Sequence, residues 1–176
     1  MPKIIENVRD MLIEETKRQI EENGYEGVTI RSIAKGCSLG LGTFYNYFKS
    51  KDMLIATFLL EDWNERITRL IEKSREESSP MDVVKNIHTE LCGFMEKHKV
   101  IFTSAEAIKS FNNTVSAYHK ILRNQIAEPI RVVCVAEGYE NYDFLSQFVA
   151  ESVLTWTVAK KSFDEIAPIV SKLFIK

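Results

Sequence analysis

Between Gly40 and Leu54 the sequence reads GLGTFYNYFKSKDML, a stretch that gathers groups able to hold an anion. Thr43, Tyr45 and Tyr47 carry hydroxyls, Asn46 an amide, and Lys49 and Lys51 ammonium groups. Hydroxyls, amides and cations on one side of a helix make a cradle for phosphate oxygens. Phe44 and Phe48 stand four apart on one helical face, so they are expected to pin the segment to a core while Tyr45 and Tyr47 point elsewhere. Lys49 and Lys51 fall where the next helix begins, and its free amide groups also favour an anion. Residues 28–52 carry a net charge of +3, against −3 for residues 1–27 and −2 for the whole chain. The cationic character is therefore local, and it coincides with the aromatic run.

No other cluster promises chemistry of this kind. His88 and Cys92, four apart, suit two metal ligands, but no third or fourth stands at a characteristic spacing, so no metal or cofactor is expected. His98 falls at a helix end, where capping is expected. Cys37, Cys92 and Cys134 are three, widely spaced, and make no disulfide framework. No acid, base and nucleophile set sits in a recognisable context, so an enzyme is not expected. No window approaches the roughly 20 apolar residues of a membrane span, and the N-terminus is amphipathic. A cytoplasmic protein without membrane contact is expected.

The elements that must position the anion-binding groups are helices. Glycines number seven and prolines four, and long stretches hold neither. Ile5, Val8, Leu12 and Ile20 form the stripe of a first helix that Gly24 ends. Thr29 caps a short helix over Thr29–Gly36, Gly36–Gly40 is a tight turn with Leu39 as its apolar plug, and a second short helix runs over Gly40–Tyr47. Ser50 caps a long helix to about Glu77. Further helices follow from Pro80 to about Lys97, over Val100–Ser110, from Asn112 with a kink or break at Pro129, and over Tyr142–Lys160 and Phe163–Phe174. The expectation is an all-α chain of about nine helices: a three-helix helix-turn-helix domain at 1–50 and a helical bundle at 51–176.

The run GYEGVTIRSIAKGCSLGLGTFYNYFKSKDML resembles the DNA-binding domain of the TetR family of transcriptional regulators over about Leu12–Leu54. The resemblance implies that Thr29, Arg31, Thr43, Tyr45, Asn46, Tyr47, Lys49 and Lys51 contact double-stranded DNA, mostly at phosphates, with Leu41 and Gly42 facing base edges. Three departures are Ser38, where the family usually has a turn glycine, Gly40, where the recognition helix often opens with Ser, and Leu41, which replaces a polar or basic reader and can pack on a thymine methyl but not bond guanine bidentately. A homodimer on a pseudo-palindromic operator is implied, with a repressor expected and an activator of the same family, or a helical enzyme, as alternatives.

The C-terminal two-thirds is rich in rings and soft side chains. Trp63, His88, Leu91, Phe94, Met95, Phe102, Tyr118 and Leu122 are the expected lining of an effector pocket, and the small-molecule effector is expected to be hydrophobic. Arg123 is the arginine expected nearest to them. Residues 142–174 carry more apolar positions than one inward face needs, and the family's usual arrangement makes them the dimer interface, with Val149 and Val153 among its positions.

Overall fold

The fold is described by a computed structural model that covers residues 7–77, 79–112 and 115–175; the side chains of residues 111–119 also lie outside the described set. Ten α-helices and no strand occur among the described residues. They are α1 Val8–Asn23, α2 Ile30–Gly36, α3 Leu41–Tyr47, α4 Lys51–Ser74, α5 Pro80–Lys97, α6 Lys99–Phe102, α7 Ala105–Asn112, α8 Val115–Ala136, α9 Tyr142–Val158 and α10 Phe163–Val170, with a 3-10 turn at Ser171–Phe174. One compact unit is Met1–Asp62 with His98–Thr114, and the other is Trp63–Lys97 with Val115–Lys176. Residues 51–62 and 98–114 thus gather with the first 50.

In the first unit α1 presents Leu12, Ile13 and Ile20 to a core shared with Ile33, Phe44, Phe48, Leu54, Ile55 and Phe58. Ile101 and Ala107, from α6 and α7, are buried in the same core. Gly24 ends α1 at φ 72°, a conformation open to glycine without Cβ strain. In the second unit α8 packs along α9, α5 lies against both, and α10 lies against α5. Val84, Ile87, Ile130, Val133, Val149, Val153 and Val170 are fully or almost fully buried there.

Three expectations are corrected. The helix expected over Val100–Ser110 is two helices, because the Ser104 hydroxyl accepts the Ala107 N–H at 3.1 Å and starts α7 afresh. That split makes the helices of the described residues ten where about nine are expected. α4 stops at Ser74, three residues short of Glu77. α8 passes through Pro129 and continues to Ala136. Ile126, Ala127, Ile130, Val133 and Cys134 are buried on both sides of the proline, and this packing holds the helix where propensity alone would end it. The same burial pushes the Cys134 thiol up to about 11.

Candidate nucleic-acid interface

Thr29 starts α2 with a reciprocal cap: its hydroxyl oxygen accepts the Ser32 N–H at 3.0 Å, and Ser32 Oγ accepts the Thr29 N–H at 3.0 Å. Buried Gln19 of α1 clasps this corner, accepting from Ser32 Oγ at 2.6 Å and donating to the Ser32 carbonyl at 3.1 Å. The turn closes with Leu39 N–H on the Ala34 carbonyl at 2.8 Å. Ser38 there adopts φ 56°, a left-handed conformation that costs a side-chain-bearing residue what a glycine avoids. Cys37 donates Sγ–H to the Met11 carbonyl at 3.4 Å and packs against the core.

α3 then divides its aromatic residues between two faces. Phe44 is fully buried and Phe48 is 5% exposed, while Tyr45 is 54% and Tyr47 48% exposed. Phe44 touches Phe48 with ring centroids 6.1 Å apart and meets Tyr45 edge-on at 5.7 Å. Leu41, Gly42 and Asn46 are exposed beside the tyrosines, and Thr43 is half-buried. A Cβ built on Gly42 would meet nothing within 4 Å, so the backbone there faces open space.

Charge follows the same division. On α1, Arg9 pairs with Glu61 and Asp10, Lys17 with Glu14 at 2.7 Å, and Arg18 with Glu15 and Glu22 at 2.6 and 2.7 Å. The Arg18 guanidinium bond holds the Glu15 carboxyl below its usual range. Arg31, Lys35 and Lys49 are exposed and form no ion pair among the described residues. Arg31 and Lys35 on α2 and Lys49 just past α3 thus leave positive charge uncompensated on the segments that flank and carry the exposed tyrosines.

Lys51 departs from the array. Its ammonium lies 3.9 Å from the centroid of the Tyr25 ring, donates to the Tyr25 carbonyl at 3.1 Å and sits 3.5 Å from Glu106. Its side chain is 15% exposed. The ring that holds it is almost wholly buried, and the Tyr25 hydroxyl donates to Asp52, which also accepts from Ser110 Oγ at 2.5 Å. Burial, and then Asp52, push the Tyr25 phenol up. Ser104 Oγ donates to Glu26 as well. These bonds fasten α7 and the turn before it to the residues that flank α2 and open α4. The sequence signal was present in Tyr25, Glu26 and Asp52, but nothing local named partners 26 to 78 residues away.

Of the residues expected to line an effector pocket, Trp63, His88, Leu91 and Phe94 are buried in the second unit, and Met95 and Leu122 are half-buried there. Trp63 and Phe94 meet edge-on at 5.5 Å. Phe102 belongs to the first unit and is 38% exposed, and the Tyr118 side chain lies outside the described residues. His88 Nε2 lies 2.9 Å from the Lys161 carbonyl, to which it donates, and its ring contacts Phe163. Among the described residues no three His, Cys, Asp or Glu side chains converge as metal ligands. His98 makes no side-chain cap; its Nε2 lies 3.0 Å from Asp62 Oδ2. Arg66, not Arg123, approaches the ring pair: it lies over Phe94 and bonds Glu90 at 2.8 Å, whereas Arg123 pairs with Glu151. A groove of about 640 Å³ is lined by Gly138–Asn141, Phe144, Leu145, Phe148, Leu173 and Ile175, none of them an expected pocket residue.

Residues 12–57 match the family model for bacterial regulatory proteins of the tetR family. The fatty acid metabolism regulator protein of Bacillus subtilis is 25% identical over 170 residues, covering 89% of this chain and 87% of that protein. The HTH-type transcriptional regulator PksA of the same organism is 40% identical over 74 residues, which are 41% of this chain and 36% of PksA. In fold, the chain is similar to the TetR family regulator PfmR of Thermus thermophilus, with TM-score 0.54, 21% identity and coverage of 96% and 95% of the two chains.

Proposed function

We propose that the chain, whose residues 12–57 match the tetR family model, is a DNA-binding, ligand-responsive transcriptional regulator of that family, and that it is a repressor released from its operator by a hydrophobic effector. The observation that carries the DNA-binding part is the exposed array on the first unit. Tyr45, Tyr47, Thr29 and Thr43 offer hydroxyls, Arg31 and Lys49 offer unpaired cations, and Asn46, Leu41 and Gly42 face outward between them. Phosphates take the hydroxyls and cations, and Leu41 reads a thymine methyl. Lys51 belongs to the bracing of this unit.

Two copies are needed for a pseudo-palindromic site, and α9 supplies the surface. Phe144 is 75% and Phe148 49% exposed, Val158 is 57% exposed, and Ile169 of α10 adds another open apolar side chain. Their burial against a second copy makes the protein a homodimer through residues 142–174. Val149 and Val153 are fully buried within the chain and have no part in that face.

The effector works through chain connectivity. α6 and α7 belong to the unit that carries α3, yet in sequence they lie between α5 and α8 of the other unit. A ligand held by the second unit changes where α5 ends and α8 begins, and so moves the segment that Tyr25, Asp52 and Lys51 hold. Its effect is limited to its differential affinity for the two arrangements. An acyl-chain compound is the effector class, in keeping with a fatty acid metabolism regulator matched over most of the chain.

The test is selection of chromosomal fragments on the purified protein, followed by binding titrations on the retained sequences. Retained fragments should share an inverted repeat, and Tyr47→Ala should abolish retention. Retention without any common sequence, or undiminished in Tyr47→Ala, would overturn the reading.

A further inference from the structure

The Trp63 indole Nε1 and the Gln125 side-chain Oε1, two buried polar atoms of the second unit, have no hydrogen-bond partner among the described residues. Trp63 is 2% exposed, with Phe94 against its ring. Gln125 donates Nε2 to Asn64 Oδ1 at 2.8 Å, and that bond assigns the oxygen as its unpaired end. Pro129 stands four residues after Gln125 in α8 and has no N–H, so the Gln125 backbone carbonyl also lacks its helical donor. Interiors pair nearly all such groups, and an indole N–H, a donor only, has no alternative role.

We propose that Trp63 and Gln125 are the polar recognition groups of the effector site, built for a neutral acyl group. Its carbonyl accepts from the indole N–H, and an adjacent N–H or O–H donates to Gln125 Oε1. This inference rests on the ligand-responsive reading above and narrows its ligand. A hydrocarbon leaves both groups unpaired. An ionised carboxylate satisfies Trp63 but sets its charge against the Gln125 acceptors, and discrimination of this kind comes from the unmatched group. Arg66, whose guanidinium lies over Phe94, does not ask for an anion, because Glu90 already bonds it at 2.8 Å. Trp63 is on α4 and Gln125 on α8, so a ligand bonded to both ties these helices together.

The sequence makes the test direct, since it holds two tryptophans. Full-length protein labelled at the indole nitrogens gives two cross-peaks, assigned with Trp156→Phe. The probes are decanamide, N,N-dimethyldecanamide and sodium decanoate. Decanamide should move the Trp63 peak, bind more tightly than decanoate, and lose about fivefold in affinity in Trp63→Phe and in Gln125→Leu. The dimethyl amide, which has no donor, should bind the wild type and Gln125→Leu equally. Should Trp63→Phe fail to fold, the amide pair on Gln125→Leu decides alone. A Trp63 peak unmoved by saturating decanamide, as when water alone pairs these atoms, overturns the proposal. So does decanoate binding as tightly as decanamide. Failure of the wild type to bind any operator would instead count against the regulator reading, because the indole peak is read without DNA.

Discussion

Two lysines separated by one serine should behave in opposite ways. Lys49 is exposed and unpaired, whereas Lys51 has its ammonium on the Tyr25 carbonyl and over the Tyr25 ring. A hydrogen bond to a charged group contributes about 1.5–3 kcal/mol, and a cation–π contact about 0.5–2 kcal/mol. The two share one ammonium and do not add, so Lys51→Met, which keeps the apolar stem, should cost about 2 kcal/mol. For a chain of this size that is a fall of about 4–8 °C in Tm. Its effect on the salt dependence of operator binding should be small, because the ammonium is held away from solvent. Lys49→Met should leave Tm within about 1–2 °C, as surface substitutions do. It should lower the slope of log K against log salt by about 0.9 per subunit, or ~2 for a dimer. Thermal melts and salt-titrated anisotropy on one operator read both quantities. Lys51→Met with an unchanged Tm and a slope lowered by ~2 would refute the reasoning that internal contacts decide which lysine meets phosphate.

Ser38→Gly should raise stability by about 1 kcal/mol, or ~2–4 °C in Tm, by relieving the left-handed strain at φ 56°; an unchanged melt would remove strain from the account. Phe148→Glu should give a folded monomer by light scattering, with operator affinity reduced about 100-fold or more as the second half-site contact is lost. Val153→Glu should unfold the second unit instead, because it places a charge at a fully buried position; a folded Val153→Glu monomer would refute the assignment of faces. Glu165 caps α10 through the Ser162 N–H and pairs with Lys161, which, with Lys161 first, lowers its carboxyl to about 2 from an ordinary 4.5. That contribution is complete above about pH 4.5 and is lost as pH falls towards 2. The wild type should therefore melt higher than Glu165→Gln at pH 6 and lose most of that lead by pH 2, and a lead unchanged at pH 2 would refute the cap.

What the sequence disclosed and what it hid have one physical origin. Thr29, Gly24, Phe44 and Phe48 act through residues within one or two helical turns, so capping, left-handed backbone and i,i+4 contact could be read directly from spacing. The direction of α9 could not. Phe144, Phe148, Val149 and Val153 are all apolar, and only tertiary packing determines that the valines are buried while the rings stay open. The contacts of Lys51 were hidden for the same reason: its spacing suits phosphate, but Tyr25 and Glu106 reach it from 26 and 55 residues away. The segment 98–112 shows the principle at the scale of a domain. By sequence order it belongs with the effector bundle, and by its bonds through Ser104 and Ser110 to Glu26 and Asp52 it belongs with the reading head. The segment lies between Lys97 and Val115 of the second unit in sequence, while its side-chain bonds are made within the first. Such an arrangement arises from pairs distant in sequence, which local periodicity does not encode.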